Sequence, residues 1–356
     1  MTTSVKSGSK VKVVELGKEP AIDKLKSTER EAGALKRHEV RVAIKAVSLN
    51  YRDLLVVKGH YAKLYEGATT PGGTPLIPCS DGAGEVVEIG EDVSRFKIGD
   101  RVAGIFMQGW IGGEINAEIG RTALGGSIDG VLRESVIFEQ EGLVHVPEHL
   151  SYEEGSTLPC AAVTAWNGMI YTGKIKAGDT VLTLGTGGVS IFAVQFAKMM
   201  GARVIVTSSS DEKLARLQKE FGVNKNDCIN YKNNPEWDKQ VLSLTGKRGA
   251  DHTVELGGAG TMSKSVNATR VGGHISVIGV LASGESDFNP INVLMKTIRL
   301  QGIYVGSREM FEDMNRAISQ HKLKPVVDKV FKFEDAIKAF QYMESQAHFG
   351  KVVIKL

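Results

Sequence analysis

Leu184-Gly185-Thr186-Gly187-Gly188-Val189-Ser190 joins an apolar run, Thr180-Val181-Leu182-Thr183-Leu184, to a helix-like stretch over residues 189–200. The pattern predicts a buried strand that turns sharply into a helix. Gly185 permits the tight turn. Gly187 lets the backbone approach a pyrophosphate, whose charge then rests on the helix N-terminus. The third glycine of a G-x-G-x-x-G fingerprint is replaced by Ser190. A plain strand–helix turn is the alternative reading. The context favours dinucleotide binding: a strand before, a helix after, and a second strand, Arg203-Val204-Ile205-Val206-Thr207, ending about 20 residues on.

Outward from this turn, strands and helices alternate. Further strands are expected at 228–230, 251–256, 274–280 and 298–305, with helices at 211–221, 235–244 and 261–268. Apolar strands separated by helices imply a parallel sheet covered on both faces, hence an α/β doubly wound domain. The first 150 residues read differently. Glu39-Val40-Arg41-Val42-Ala43-Ile44-Lys45-Ala46-Val47 alternates polar and apolar residues as a half-buried strand does. Short strands are expected at 10–15, 84–90, 100–104 and 131–138, with a Gly-rich loop over 107–130. The last fifty residues promise two helices and a final strand, Lys351-Val352-Val353-Ile354-Lys355-Leu356, returning to the first domain.

The chain has 356 residues, too many for one compact domain. Its net charge of +3 argues against a nucleic-acid binder held by bulk charge. Glycine is enriched, 41 of 356 residues, which suits many tight turns or close ligand approaches. Cys79, Cys160 and Cys228 are too few and scattered for a disulfide framework, so a reducing compartment is expected. The N-terminus lacks a signal-peptide core; a cytoplasmic location is expected, with a mitochondrial one as the alternative. Residues 180–197 form the longest uncharged stretch. Gly185, Gly187 and Gly188 interrupt it, and it reads as strand, turn and helix rather than a membrane span.

The end of the second strand bears on which dinucleotide is bound. An NAD site places Asp or Glu there for the ribose 2′-hydroxyl. Here the run is Ser208-Ser209-Ser210-Asp211-Glu212-Lys213. Ser208 stands where the carboxylate would, and Ser209, Ser210 and Lys213 can donate to a 2′-phosphate. NADP(H) is therefore expected. A serine helix cap followed by a solvated lysine is the alternative, and Asp211 and Glu212 weigh against a phosphate unless they face solvent.

With the turn in place, the whole chain resembles the medium-chain dehydrogenase/reductase superfamily. The resemblance rests on Leu49-Asn50-Tyr51-Arg52-Asp53-Leu54, Ile77-Pro78-Cys79-Ser80-Asp81-Gly82-Ala83-Gly84 and Phe96-Lys97-Ile98-Gly99-Asp100-Arg101-Val102. It continues through Ala165-Trp166, Gly178-Asp179-Thr180-Val181-Leu182, the glycine turn, Gly272-Gly273-His274-Ile275 and Gly350-Lys351-Val352-Val353. It implies a discontinuous GroES-like β-rich catalytic domain, 1–157 with 306–356, and a Rossmann domain, 158–305. The branch it most resembles is the zinc-free one, of quinone oxidoreductases and enone or enoyl-thioester reductases. Positions that hold zinc in the zinc alcohol dehydrogenases are Asn50, Ser80 and Cys160 here, and Asn and Ser bind zinc poorly; a two-thiolate site of Cys79 and Cys160 with Asp81 or Asp53 is the alternative, and a buried apolar Cys160 is favoured over it. No structural zinc lobe is expected either, since 107–130 contains no Cys.

Alcohol oxidation needs an alkoxide stabilised by a Lewis acid. Reduction of a conjugated double bond needs only donors for an enolate oxygen. The expectation is thus a zinc-independent, NADPH-dependent oxidoreductase acting on an enone, enal, enoyl thioester or quinone. The alternatives are an NADP-dependent alcohol dehydrogenase or aldehyde reductase, and an NADPH-binding protein without turnover. By resemblance Tyr61 is the proton-donor candidate, with loop-edge packing equally open. Asn50 and Asp53 would hold the cleft wall and nicotinamide ribose. Tyr51, Arg52 and Trp110 would line the substrate space, Trp110 serving alternatively as lobe core. Cofactor contacts are expected from Thr164, Gly185, Thr186, Gly187, Gly188, Val189, Leu256, Ile278, Gly279, Val280, Tyr304, Val305 and Gly306. Tyr231 would lie near the 2′-phosphate and Lys351 at the pyrophosphate. A homodimer through the edge strand 298–305 is expected, with no nucleic-acid or membrane partner.

Overall fold

The computed structural model describes residues 8–60, 73–279 and 287–356. Tyr61 and Val280 lie outside the described residues. The chain forms two compact units, unit 1 from Met1–Val163 and Gly306–Leu356, unit 2 from Thr164–Val305. The first seam falls between Val163 and Thr164 rather than between 157 and 158. The chain crosses it inside an unbroken helical segment, Leu158–Ala162, Val163–Trp166 and Asn167–Tyr171, so no loop signal marks it.

In chain order the strands are β1 (Lys10–Glu15), β2 (Lys26–Glu31), β3 (Glu39–Leu49), β4 (Asp81–Ile89), β5 (Arg101–Gly104), β6 (Ser135–Glu139) and β7 (Leu143–His145). Then follow β8 (Thr180–Leu184), β9 (Arg203–Ser208), β10 (Cys228–Asn230), β11 (Ala250–Glu255), β12 (Thr269–Val277), β13 (Arg299–Gly302), β14 (Val327–Lys332) and β15 (Lys351–Lys355). Among the described residues, no helix is long and apolar enough to cross a membrane.

Unit 2 is a six-stranded parallel sheet in the order β10-β9-β8-β11-β12-β13. Numbered along the chain, this is 3-2-1-4-5-6, the doubly wound order. β8 is buried along its whole length, as a central strand covered on both faces must be. Leu182, Leu184, Ile205, Ile229 and Trp237 pack together in one layer. The helix Gly188–Met199 buries Ile191, Phe192 and Phe196. The helix Asp211–Phe221 starts at Ser210, whose side chain accepts from the Lys213 N–H, and stops at Gly222 in the left-handed conformation.

Unit 1 carries a sheet in the order β14-β15-β3-β4-β5-β7, with β6 also on β3, and a separate β1-β2 pair. Register decides what meets at the end of β3. Ser48 pairs with Asp81 on one side and Leu49 with Val352 on the other. Asn50, Asp81 and Lys351 are therefore neighbours, although they come from three distant segments. A core of Val40, Val42, Val47, Leu54, Val86, Phe138, Phe340 and Ile354 packs within this unit.

β2 and β14 were not expected. Lys-Ser-Thr-Glu-Arg-Glu and Val-Asp-Lys-Val-Phe-Lys lack the apolar alternation that marks a strand. Pairing with β1 and β15 makes them strands all the same. β13 is shorter than 298–305, and β12 begins earlier than 274, at Thr269.

Candidate functional site

In a parallel sheet all carboxyl ends point the same way, and ligands bind beyond them where the strand order reverses. The segments expected to meet the cofactor in unit 2 follow strand ends: Gly185–Val189 after β8, Ser208–Ser210 at β9, Leu256 after β11, Ile278 and Gly279 after β12, and Tyr304 and Val305 after β13. Tyr231 follows β10, its N–H donating to the Ser208 carbonyl at 3.1 Å. Thr164, at the start of unit 2, is buried.

Gly185 has φ +79°, a conformation costly for any residue with a Cβ. Ser190, which replaces the third glycine, donates its Oγ–H to the Leu184 carbonyl at 2.7 Å, so the hydroxyl ties helix to strand. Gly187 caps the helix, and no side chain caps its first amides. Those amides have no intrahelical partner. A Cβ placed on Gly187 would meet none of the described atoms within 4 Å. An open approach to uncapped amides at the N-terminus of a 12-residue helix fits a pyrophosphate.

β9 ends on Ser208, which is buried. Its Oγ accepts from the Ser210 N–H at 3.3 Å, and the Ser210 Oγ accepts from the Lys213 N–H at 3.3 Å. Both hydroxyls keep a proton to donate. Asp211 Oδ1 is taken by Asn230 Nδ2 at 2.8 Å, so this carboxylate is tied sideways to β10.

Glu255, at the end of β11, carries no local motif, and the sequence marks 251–256 only as a strand. It is fully buried. It accepts the N–H groups of Gly257 and Gly258 at 2.7 and 2.9 Å, the Thr261 hydroxyl at 2.6 Å and the Ser265 hydroxyl. Four donors make a buried carboxylate tolerable and fix the loop that carries Leu256.

Unit 1 holds a buried polar centre. Asp53 Oδ2 accepts the Asn50 N–H at 2.8 Å, closing the first turn of the helix Tyr51–Val57. Ser80 Oγ donates to Asp81 Oδ1 at 2.6 Å, and the Cys160 N–H donates to Asp81 Oδ2 at 3.1 Å. Lys351 Nζ donates to the Leu49 carbonyl at 2.6 Å and to Asn50 Oδ1. Desolvation pushes the Asp53 carboxyl up to about 6, against the pull of Arg52. Asp81 is raised chiefly by burial, with Lys351 opposing. Burial, aided by the carboxylates, pushes both the Cys79 and Cys160 thiols up.

Lys351 and Arg52 are engaged inside unit 1, and Trp110 takes the alternative place open to it. Lys351, expected at the pyrophosphate, is only 3% exposed and turned into unit 1, because the β3–β15 register sets it beside Asn50. Arg52, expected to line the substrate space, is buried. It donates to the Leu124 carbonyl at 2.7 Å and to Asp53 at 3.4 Å, and stacks on Phe106 at 4.7 Å. Trp110 is lobe core: it is buried and its Nε1–H donates to the Gly113 carbonyl at 3.0 Å. Tyr51 is half-buried. Gly306 belongs to unit 1, where a Cβ would meet Val163 at 2.5 Å.

A catalytic zinc needs three deprotonated ligands aimed at one point. In the polar centre a lysine ammonium sits on Asn50 Oδ1, and Ser80 and a backbone N–H occupy Asp81. Among the described residues no group of three or more His, Cys, Asp or Glu stands ready to hold a metal ion. This donor set does not fit a catalytic zinc.

A doubly wound sheet with a phosphate turn, joined in one chain to a β-rich unit with a buried acid–base centre, is the plan of a dinucleotide-dependent oxidoreductase. Two family models match, "Alcohol dehydrogenase GroES-like domain" over residues 36–148 and "Zinc-binding dehydrogenase" over 188–320. A zinc-type alcohol dehydrogenase-like protein of Schizosaccharomyces pombe is 43% identical over 94% of this chain and 96% of its own. A crystal structure from Sinorhizobium meliloti 1021, assigned provisionally as an alcohol dehydrogenase, superposes with TM-score 0.88 at 39% identity, covering 99% of this chain and 100% of the other. That of an NAD-dependent alcohol dehydrogenase gives 0.85 at 30%, covering 97% and 99%. The chain belongs to the medium-chain dehydrogenase/reductase superfamily.

Proposed function

We propose that this oxidoreductase is zinc-independent and NADP-dependent, and that it reduces an electron-poor double bond in an enone, enal, enoyl thioester or quinone. The observation that carries the reading is the Lys351 ammonium on Asn50 Oδ1, inside a centre of two cations and two carboxylates, Lys351 and Arg52 with Asp53 and Asp81. A centre that already balances its own charge has no call for a dication. Without a Lewis acid the less demanding chemistry is preferred, since an enolate oxygen can be stabilised by hydrogen-bond donors alone.

The bound nicotinamide would supply the hydride. Gly185, Thr186, Gly187, Gly188 and Val189 would receive the pyrophosphate. The hydroxyls of Ser208, Ser209 and Ser210, with Lys213 and Tyr231, would surround the 2′-phosphate; a strand end without a carboxylate supports NADP(H) over NAD. Asn50 and Asp53 would hold the site wall, and Tyr61 would donate the proton. A homodimer fits the edge strand β13, exposed along Arg299–Gly302, and a cytoplasmic location fits the scattered cysteines.

A second reading, interconversion of alcohol and aldehyde, is favoured by the alcohol dehydrogenase names of the relatives, one of them NAD-dependent. One assay separates the two. Chelator-treated protein is offered NADPH or NADH with an enone, a quinone and an aldehyde. Enone or quinone turnover with NADPH, unchanged by added zinc, is expected. Activity recovered only on adding zinc, or aldehyde turnover exceeding both others, would overturn the proposal.

A further inference from the structure

We infer that Asn167 is a positioning residue: it holds Val305 in a left-handed backbone conformation and so sets the segment after β13, which lies in the half of the sheet opposite the β9 end given to the 2′-phosphate and therefore, on the function proposed above, meets the nicotinamide half of the cofactor.

Val305 has φ +59°. A β-branched residue seldom adopts that conformation and keeps it only where its surroundings over-determine it, commonly at a ligand site. Val305 is buried, and its carbonyl accepts Asn167 Nδ2–H at 2.7 Å across 138 residues of sequence. Asn167 is itself 6% exposed. Its carboxamide cannot flip without loss, because the Val305 carbonyl can only accept and so requires the nitrogen. Nitrogen toward Val305 leaves Oδ1 toward Thr172, whose hydroxyl donates to it at 2.7 Å.

The surroundings brace the same spot. Asn167 opens a π-helical turn, Asn167–Tyr171, a wide turn frequent at functional sites. The next carbonyl, that of Gly168, accepts the Ser276 hydroxyl of β12 at 2.8 Å. A Cβ on Gly168 would lie 3.1 Å from that hydroxyl and 3.6 Å from Ile303. The Ile303 N–H donates to Val277 at 2.9 Å. Residues 303–305 are thus pinned at both ends, by β12 at Ile303 and by Asn167 at Val305. Tyr304, between the pins, is presented at the carboxyl edge of the sheet.

The test uses the full chain and two ligands, NADPH and 2′,5′-ADP, which carries the adenine half alone. Dissociation constants are measured by calorimetry for the wild type, Asn167→Asp, and Asn167→Asp with Val305→Gly. Asn167→Asp keeps the shape and loses the amide donor. It is expected to weaken NADPH about tenfold, the effect of one lost buried hydrogen bond, while 2′,5′-ADP stays unchanged. Val305→Gly removes the strain that Asn167 holds, so adding it restores most of the NADPH affinity. Thr172→Val, which leaves Asn167 but frees its carboxamide, should show a smaller loss of the same kind; it carries the test if Asn167→Asp fails to fold. Equal weakening of both ligands, no weakening of either, or no rescue by glycine would overturn the inference while leaving the proposed function standing. A wild type that binds neither NADPH nor NADH would overturn both.

Discussion

In unit 2 the segments assigned to the dinucleotide follow the ends of parallel strands, each within a few residues of a turn or helix start, and much of their work is done by backbone. In unit 1 the polar centre is assembled from side chains at 50–53, 80–81, 160 and 351, brought together by strand register. The first arrangement depends on local conformation and tolerates changes in side chains that point elsewhere. The second is a balance of buried charges in which every member depends on the others.

That contrast can be broken where it is sharpest. Lys351→Met leaves Asp53 with Arg52 beside it and takes from the buried Asp81 the cation that opposes its burial. Removing one partner of a buried charge network is expected to lower stability by about 3–5 kcal/mol, read from urea unfolding. A loss below ~1 kcal/mol would mean the centre is hydrated and weakly coupled.

A pH series sharpens the same side. The Asp53 carboxyl stands at about 6 in the fold, against an ordinary 3.8. The folded state therefore binds the proton more tightly than the unfolded chain. The resulting stability is fully present below pH ~4 and is lost as the pH rises through about 6. Relative to Asp53→Asn, the wild type should lose on the order of 3 kcal/mol over that window. Parallel curves for the two proteins would contradict the burial assigned to this group.

In unit 2 the expected effects fall on ligand affinity and leave the fold alone. Gly187→Ala meets no steric conflict among the described atoms, so its unfolding midpoint should match the wild type. The added methyl would stand in the path of the pyrophosphate, and NADPH affinity should fall roughly ten- to hundredfold, about 1.4–2.8 kcal/mol. If the midpoint drops and affinity does not, the turn is structural only. The smallest expected effect is Lys213→Ala, which should weaken NADPH about tenfold and NADH hardly at all, the loss of one charge-assisted bond. Equal losses would move the 2′-phosphate elsewhere.

The two regions also differ in how far the sequence could be read. The turn at Gly185–Val189 and the strand end at Ser208 were legible because a glycine pattern and a missing carboxylate act where they stand. Asn50 and Asp53 were found by resemblance, but their partner Lys351 was assigned to the pyrophosphate. Nothing within ten residues of Lys351 reveals that Val352 pairs with Leu49. Arg52 and the two places open to Trp110, substrate space or lobe core, were hard to read for a related reason, since a large polar or aromatic side chain carries no local sign of which way it faces. Asn167 was invisible because its partner Val305 becomes a neighbour only once the sheet exists, whereas Glu255 bonds locally, to residues 257–265, and was missed because a single acid at a strand end carries no motif.

The two cysteines of unit 1 have one more consequence. Conjugated carbonyls and quinones are soft electrophiles that alkylate thiolates. Cys79 is buried, and burial together with the neighbouring carboxylates raises both its thiol and that of Cys160, which disfavours the reactive thiolate. A catalyst of the proposed kind would thus keep these two thiols slow to react with the molecules it consumes, and would resist being poisoned through them by repeated exposure to substrate.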